Sequence, residues 1–479
     1  MSKDIQVFTA IDAKVKPAES LDILLLSTEG AAPMKTYNDL EKINADFEGK
    51  KVAAMATKLF NQDNTLADTL IRKVRIVGIE NPQNVGGKAS TIKAAFDGLS
   101  TSEELTANTD YYAKIGGKAV VKITTGDTAP ADEAAFAALF DGVTFTEDGV
   151  EFRAEAAEKT VVFTSTTRTA ISGYTADIGL YKDEDCFESL ELGGCDVVIT
   201  IGTGDVTKEE NLVKALEEIR DADDDFYFVL TDVTDEDCVT SLCKWAEGTE
   251  PTEAALGAGV EDHRKFYFGQ VTNKEYVNNY GRSAVVYTDD PSEWADAAWV
   301  GSVGPFWPES VTWKWKVPDG ISVAYLRDSE RDTLEENRVN FMTAEYKHEY
   351  MKNGICGDGN FIDNVLGADY ITYQMRENLY TIFLQNPKIG YTDAGFSIVA
   401  SGVFSALNRA VDLHIIAKDP EDGVGVYTVT VPKRKDATDE QARNRVMPDI
   451  EWEALLEGAV HSAKVRGTLS VTLNNCEGG

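Results

Sequence analysis

The chain has 479 residues, 46 of them Lys or Arg and 81 Asp or Glu, for a formal net charge of −35. That excess of acid argues against a surface that binds nucleic-acid backbone, which needs Lys and Arg in surplus. Hydrophobic residues make up 43 %, ordinary for a water-soluble chain long enough for about three cores. No stretch reaches the ~20 apolar residues of a membrane span, so no membrane insertion is expected.

The first readable element is "DIQVFTAIDAKV". Ile5, Val7, Ile11 and Val15 share one side of an extended strand, with polar residues opposite. A polar stretch with Pro17 follows and reads as a linker. "LDILLLS" reads as a buried strand, Tyr37 to Phe60 as helical with Leu40, Ile43 and Phe47 on one face, and "IRKVRIVGIE" as another strand.

From about Asn81 to Lys182 Thr and Gly rise, and short alternating runs follow one another. Asp148-Gly149 in "TEDGVEF" is a hairpin-turn dipeptide. The segment reads as an inserted β-rich domain with a short Ala-rich helix near Ala131–Phe140. From Cys195 to Val303, "DVVITIG", "FYFVLTD", "KFYFGQV" and "SAVVYTD" read as compact strands. Between them lie "TKEENLVKALEEIRDA", "TDEDCVTSLCKWAEG" and "NKEYVNNYG". Thr207 and Glu210 form a capping box. Repeating βα units predict a mostly parallel sheet.

Two strong helices come later. One carries Ile371, Met375, Leu379, Ile382 and Phe383. The other starts at Thr392 and carries Phe396, Val399, Val403 and Leu407. "GVYTVTVP" is a strand. After the charged loop "KRKDATDEQARNR" the chain closes on "KVRGTLSVTL", where Val465, Leu469, Val471 and Leu473 alternate with polar residues. A strand alone has unpaired backbone groups. The two terminal strands therefore either join a sheet of their own chain or add to the sheets of neighbouring copies.

Signals for chemistry are thin. Gly202 and Gly204 in "IGTGDVTKEE" begin a dinucleotide fingerprint, but Thr207 stands where its third glycine belongs, and a tight turn is the better reading. Asp358 and Asn360 in "GICGDGN" lack the other calcium ligands and read as a loop. The four histidines, His263, His348, His414 and His461, form no zinc motif, and no nucleophile elbow occurs. In "VTWKWKV" a strand would place Trp313 and Trp315 towards a core and Lys314 and Lys316 outward. Six cysteines (Cys186, Cys195, Cys238, Cys243, Cys356 and Cys476) without a C-x-x-C pair suggest free thiols in a reducing compartment. Acid is uneven: 24 acidic and 4 basic residues from Asp183 to Asp262, against 7 of each from Lys433 to Arg466. A solvated acidic face is the simple reading; a surface for cations or a basic partner is the other.

The stretch "GDGNFIDNVLGADYITYQMRENLYTIFLQNPKIGYTDAGFSIVASGVFSALNRAVD" resembles the contractile tail sheath proteins of bacteriophages. The likeness is strongest at Lys388–Gly395. The ending "RVMPDIEWEALLEGAVHSAKVRGTLSV", the early "MKTYNDLEKINADFEGKKVAAMATKLFNQ" and "TWKWKVPDGI" are also similar to that family. About residues 20–80 and 305–473 are covered; the middle matches poorly, where sheath proteins carry variable outer domains.

The resemblance implies a multidomain α/β and α+β protein, with a mixed α/β sheath core, an inserted β-rich domain and extended strand arms. Its expected parts are an N-terminal arm and linker (1–19), the first part of the core (20–80), the insertion (81–182), an α/β domain with parallel strands (183–304), a C-terminal sheath domain (305–462) and a C-terminal arm (463–479). It implies a non-enzymatic subunit without cofactors. Copies would knit into a helical sleeve through arms at Ile5–Val15 and Val465–Leu473. Further partners would be a tail tube protein, a baseplate and a tail terminator, in a virion tail assembled in the host cytoplasm. The near-neutral C-terminal part, with Lys433, Arg434 and Lys435, is expected to face the tube. The competing readings are a nucleotide- or NAD-binding enzyme and the sheath of a headless bacteriocin or other injection particle.

Overall fold

The structure, a computed structural model, describes residues 23–62, 71, 73–168, 170–248, 265–308 and 310–464. In chain order it runs β1 (Ile23–Ser27), β2 (Ala32–Tyr37), α1 (Leu40–Asp46), α2 (Lys51–Phe60), β3 (Val74–Gly78), β4 (Thr91–Ser100), β5 (Asp110–Ile115), β6 (Ala119–Thr124), α3 (Glu133–Ala137), β7 (Thr144–Glu147), β8 (Val150–Ala157), β9 (Thr160–Ser165), β10 (Ile178–Tyr181), β11 (Gly193–Thr200), α4 (Lys208–Ala222) and β12 (Phe228–Thr231). It continues with α5 (Glu236–Glu247), β13 (Phe266–Val271), β14 (Ser283–Tyr287), α6 (Ala295–Val303), α7 (Asp328–Glu336), β15 (Asn340–Glu345), β16 (His348–Lys352), α8 (Ile362–Gln385), α9 (Asp393–Asp412), β17 (Tyr427–Thr430), α10 (Asp439–Asn444) and β18 (Glu451–Ala454). Two compact units result: one from the chain up to Pro82 and from Leu212 onward, the other Gln83–Asn211.

The first unit is built on an eight-stranded sheet in the order β16-β15-β14-β13-β12-β1-β3-β2, parallel except at its two edges. Strands β1, β3, β12, β13 and β14 are buried along their whole length. This is why they read as unbroken apolar runs: helices cover both faces. Ile23, Leu25, Phe228, Phe266 and Phe268 face one core with α2, α6 and Trp313. Leu24, Leu26, Val229, Tyr267 and Val285 face the other, with Leu212 and Leu216 of α4 and Leu242 of α5. A third core joins α8 to α9 through Met375, Leu379, Val403 and Leu407. By length and composition α9 would pass for a membrane span, but 56 % of that window is buried within the fold.

The second unit is all antiparallel apart from the short α3. Sheets β10-β5-β6 and β11-β4-β9-β8-β7 share one core, rich in phenylalanine: Phe96, Phe136, Phe140, Phe152 and Phe163. Asp148 and Gly149 link β7 to β8 with φ of 53° and 78°, the left-handed pair of a tight hairpin.

Four local expectations change. "DVVITIG" does not enter the parallel sheet; β11 runs antiparallel beside β4 in the second unit. Its alternating burial, in contrast to the wholly buried parallel strands, is the reason. The helical stretch Tyr37–Phe60 is two helices, broken where Gly49 takes φ 75°. "NKEYVNNYG" forms turns: Asn273 and Asn278 bind backbone amides two residues on, the local competition that disfavours helix. "VTWKWKV" is not a regular strand, because Trp315 has φ 67°. Trp313 is 2 % exposed and stacks on Phe268. Trp315, at 45 %, turns outward onto Tyr350.

Candidate assembly site

The turn Lys388–Gly395 is a hub. Thr392 caps α9, its hydroxyl accepting from Gly395 N–H at 3.2 Å. A Cβ on Gly395 would stand 1.8 Å from the Gly390 carbonyl oxygen, so only glycine fits. Tyr391 meets Phe396 edge-on and donates its hydroxyl to the Val446 carbonyl at 2.7 Å. The Arg434 guanidinium lies over the Tyr391 ring at 4.7 Å, and the Arg434 amide donates to the Asp393 carboxylate. The loop holding Lys433, Arg434 and Lys435 is thereby pinned to the start of α9. All three residues are exposed, on a single 3-10 turn stapled by Lys433 N–H to Asp436 at 2.8 Å.

Beyond this loop, β17 and β18 pair antiparallel, Tyr427 opposite Ala454 and Val429 opposite Trp452. These four apolar residues face the α8–α9 core. Thr428, Thr430, Glu451 and Glu453 face outward. Among the described residues the two strands form a sheet of two only. Each therefore keeps one row of backbone donors and acceptors without a strand neighbour. A groove of about 710 Å³ opens here, lined by Ala368 and Ile371 of α8, the hairpin's Tyr427 and Trp452, and the acidic Asp419 and Asp422. Sequence reading named the hairpin's strand but not this groove. The alternation in "GVYTVTVP" was visible; the apolar strip of α8 beneath it was not assigned to it. The arm residues Ile5, Val7, Ile11, Val15, Val465, Leu469, Val471 and Leu473 lie outside the described residues.

Enzymes of this fold class bind their ligands at one characteristic place. In open α/β sheets that place is the carboxyl end of the strands, where their order reverses. At that end of β1 and β12 Asp232 is buried, accepting from Ser27 Oγ at 3.1 Å, Thr28 N–H at 2.9 Å and Thr28 Oγ1 at 2.8 Å. Burial raises its pKa, and the Thr28 and Ser27 hydrogen bonds oppose the rise. Gly202 serves backbone approach: a Cβ there would be 2.3 Å from the Lys88 carbonyl oxygen. The capping box at Thr207 and Glu210 forms as expected, with bonds of 3.0 and 3.2 Å. Asp358 binds Asn360 through its amide at 2.9 Å and its side chain at 2.6 Å, closing a loop.

Two buried polar features escaped sequence reading. Asp369 of α8 pairs with Arg282 at 2.7 Å and accepts from the Tyr227 hydroxyl, all three buried. Asp296 of α6 is fully buried; its Oδ1 accepts from Ala297 N–H at 2.8 Å while Oδ2 has no hydrogen-bond partner. Burial pushes its pKa up to about 7. The only signal was an aspartate inside an apolar helical run, "GADYITYQM" or "EWADAAWVG".

No protein family's sequence model matches the chain, and no curated protein matches it. Among solved structures, it is similar to the sheath tail protein of Desulfitobacterium hafniense, at 10 % identity and TM-score 0.42, over 89 % of this chain and 93 % of that one. It is also similar to a chain of the anti-feeding prophage baseplate, at 14 % identity and TM-score 0.41, over 56 % of this chain and 76 % of the other.

Proposed function

We propose that this protein is the structural subunit of a contractile sheath, polymerising helically around a tail tube and shortening to drive that tube through a cell envelope. The observation that carries the reading is the β17–β18 hairpin, two strands with open edges beside an apolar groove. The chain also has strand-patterned termini to fill such edges. Ile5–Val15 and Val465–Leu473 of neighbouring copies are the proposed occupants, by β-augmentation. Main-chain hydrogen bonds, each a net ~0.5–1.5 kcal/mol, hold the link, and alternate apolar residues set its register. The resemblance at Lys388–Gly395 supports the same reading, since that turn positions the loop beside the hairpin.

Contraction on this reading is mechanical. Subunits held extended by tube and baseplate repack into a shorter, wider lattice while the strand links persist. A modest ~1–3 kcal/mol per subunit, of the size of ordinary coupling energies, suffices when many subunits move together. Lys433, Arg434 and Lys435 are the proposed tube-facing side chains. The role is structural rather than catalytic, in a phage virion tail or the tail of a headless particle.

Electron microscopy of the purified full chain tests the proposal: striated helical cylinders are expected. A chain ending at Lys464 should stay folded by circular dichroism yet form none. Normal cylinders from the truncated chain would overturn the arm assignment. Dispersed monomers of the full chain at high concentration would overturn the sheath reading.

A further inference from the structure

The segment after β18 is tied to the body at two places before residue 464. Ala417 N–H donates to the Leu455 carbonyl at 2.8 Å, and Glu457 N–H to the Ile415 carbonyl at 2.9 Å. Further on, His461 Nε2 lies 2.7 Å from Thr312 Oγ1, and its ring meets Phe361, the residue before α8, edge-on. Ala368 and Ile371, which line the groove under the hairpin, stand farther along the same helix, roughly 10 and 15 Å from Phe361 by the helical rise. From His461 to Val465 an extended chain covers up to about 14 Å. The strand-patterned Val465–Leu473 therefore starts within reach of the groove of its own subunit.

Charge selects the same segment. The groove is lined by Asp419, Asp422 and Glu453 and by no Lys or Arg. Residues 458–475 hold Lys464 and Arg466 and no acid, whereas Ile5–Val15 holds Asp12 and Lys14, one of each sign. Sidedness agrees. Val424 and Leu455 stand exposed at the groove as apolar walls, and strand alternation gathers Leu469, Val471 and Leu473 on one side. Lys464 and Arg466 fall on the other side, the outward one, where Glu453 also faces.

We propose that in the free subunit this groove is closed by the chain's own residues 465–473, and that assembly swaps the segment into the same groove of a neighbour. The swap rests on the sheath reading; the self-docking does not. One element serves both contacts, so its exchange costs little. Tethered through so short a leader, the segment is present at roughly millimolar effective concentration. A lone copy thereby covers a strand edge that would otherwise pair with any passing chain.

A fluorescent peptide of residues 463–475, titrated with the full chain and followed by anisotropy, tests this. The parent is compared with Leu469→Asp combined with Val471→Asp, whose own segment cannot bury its apolar side. The variant should bind the peptide, and the parent should bind it about tenfold more weakly, because the tethered segment competes. Adding Asp419→Asn and Asp422→Asn to the variant should weaken binding about threefold, the scale of exposed ion pairs. Asparagine keeps the side-chain oxygens that accept from the Glu421 and Val424 amides, so the turn is preserved. Hydrogen exchange at the β17 and β18 amides gives a second reading: slower in the parent than in the variant, and unchanged on dilution. Equal peptide affinity for parent and variant, or no binding to the variant, would overturn the proposal. So would tighter binding of a peptide of residues 3–16, or protection that falls on dilution, the mark of a neighbour's segment. Cylinder formation is scored separately: cylinders from a parent that binds the peptide as well as the variant does would leave the sheath reading standing without self-docking.

Discussion

Asp296 is a carboxyl that the fold keeps away from water with one oxygen unsatisfied. Its folded pKa of about 7 stands above the ordinary value of 3.8. Between those values the native state holds a proton that the unfolded chain has released. Stability from this group is therefore full below about pH 4 and lost as pH rises to 7. Asp296→Asn removes the titration. In urea unfolding from pH 5 to 8, the variant should gain on the parent by about 1.4 kcal/mol per pH unit up to about pH 7, then hold level. Parallel curves would mean that Asp296 titrates normally. Gly395 is the second single-residue case. Gly395→Ala forces a methyl into the Gly390 carbonyl, and unfolding should show a loss of ~1–3 kcal/mol. The Tyr391–Val446 bond, held in the same turn, should weaken with it. Neither effect could be read from the sequence: a lone Asp in an apolar run and a Gly after Ala each have many settings, and only tertiary neighbours choose among them.

Helix α8 belongs to two cores. Ile362, Val365 and Leu366 pack under the large sheet; Ile371, Met375 and Leu379 pack on α9. Between these sets, Asp369 ties the helix to Arg282 and Tyr227. Removing one member of a buried pair strands the other charge, which costs ~3–5 kcal/mol. Asp369→Ala should lose that much by chemical denaturation, while Arg282→Met with Asp369→Leu should recover most of it. Helices and parallel strands were the legible part of this protein. "KFYFGQV" and "SAVVYTD" are apolar on both faces because both faces are covered, and Thr392 announces α9 through its cap. Apart from the Asp148-Gly149 turn, segments whose backbone leaves the standard regions were not legible. Trp315 at φ 67° breaks an alternation that would otherwise make a strand. The large groove was illegible for a related reason: its walls come from α8 and a hairpin more than fifty residues away, and no local pattern joins them.

The charge of −35 acts on the molecule as a whole. Copies repel one another over roughly 30 Å at 0.01 M salt and only about 3 Å at 1 M. Self-assembly of the pure chain, followed by light scattering, should therefore strengthen as salt is added. On the proposed sheath reading, binding to a tube through Lys433, Arg434 and Lys435 should respond in the opposite sense, and reversing those three charges should weaken it at low salt. Identical salt trends for the two would remove the case for a basic contact. The second unit runs from Gln83 to Asn211, and β11 within it is apolar enough to pass in sequence for another strand of the parallel sheet.

The insertion begins and ends side by side. Asn211 Nδ2 donates to the Gln83 carbonyl at 2.8 Å, and Lys208 N–H to Asn84 Oδ1 at 2.8 Å. Its own Phe-lined interior is complete within 83–211. A polypeptide that departs and comes back through one doorway makes its excursion an exchangeable cassette. A brief glycine-serine bridge could replace it, or a fluorescent domain be grafted in its stead, leaving the eight-stranded scaffold uncut.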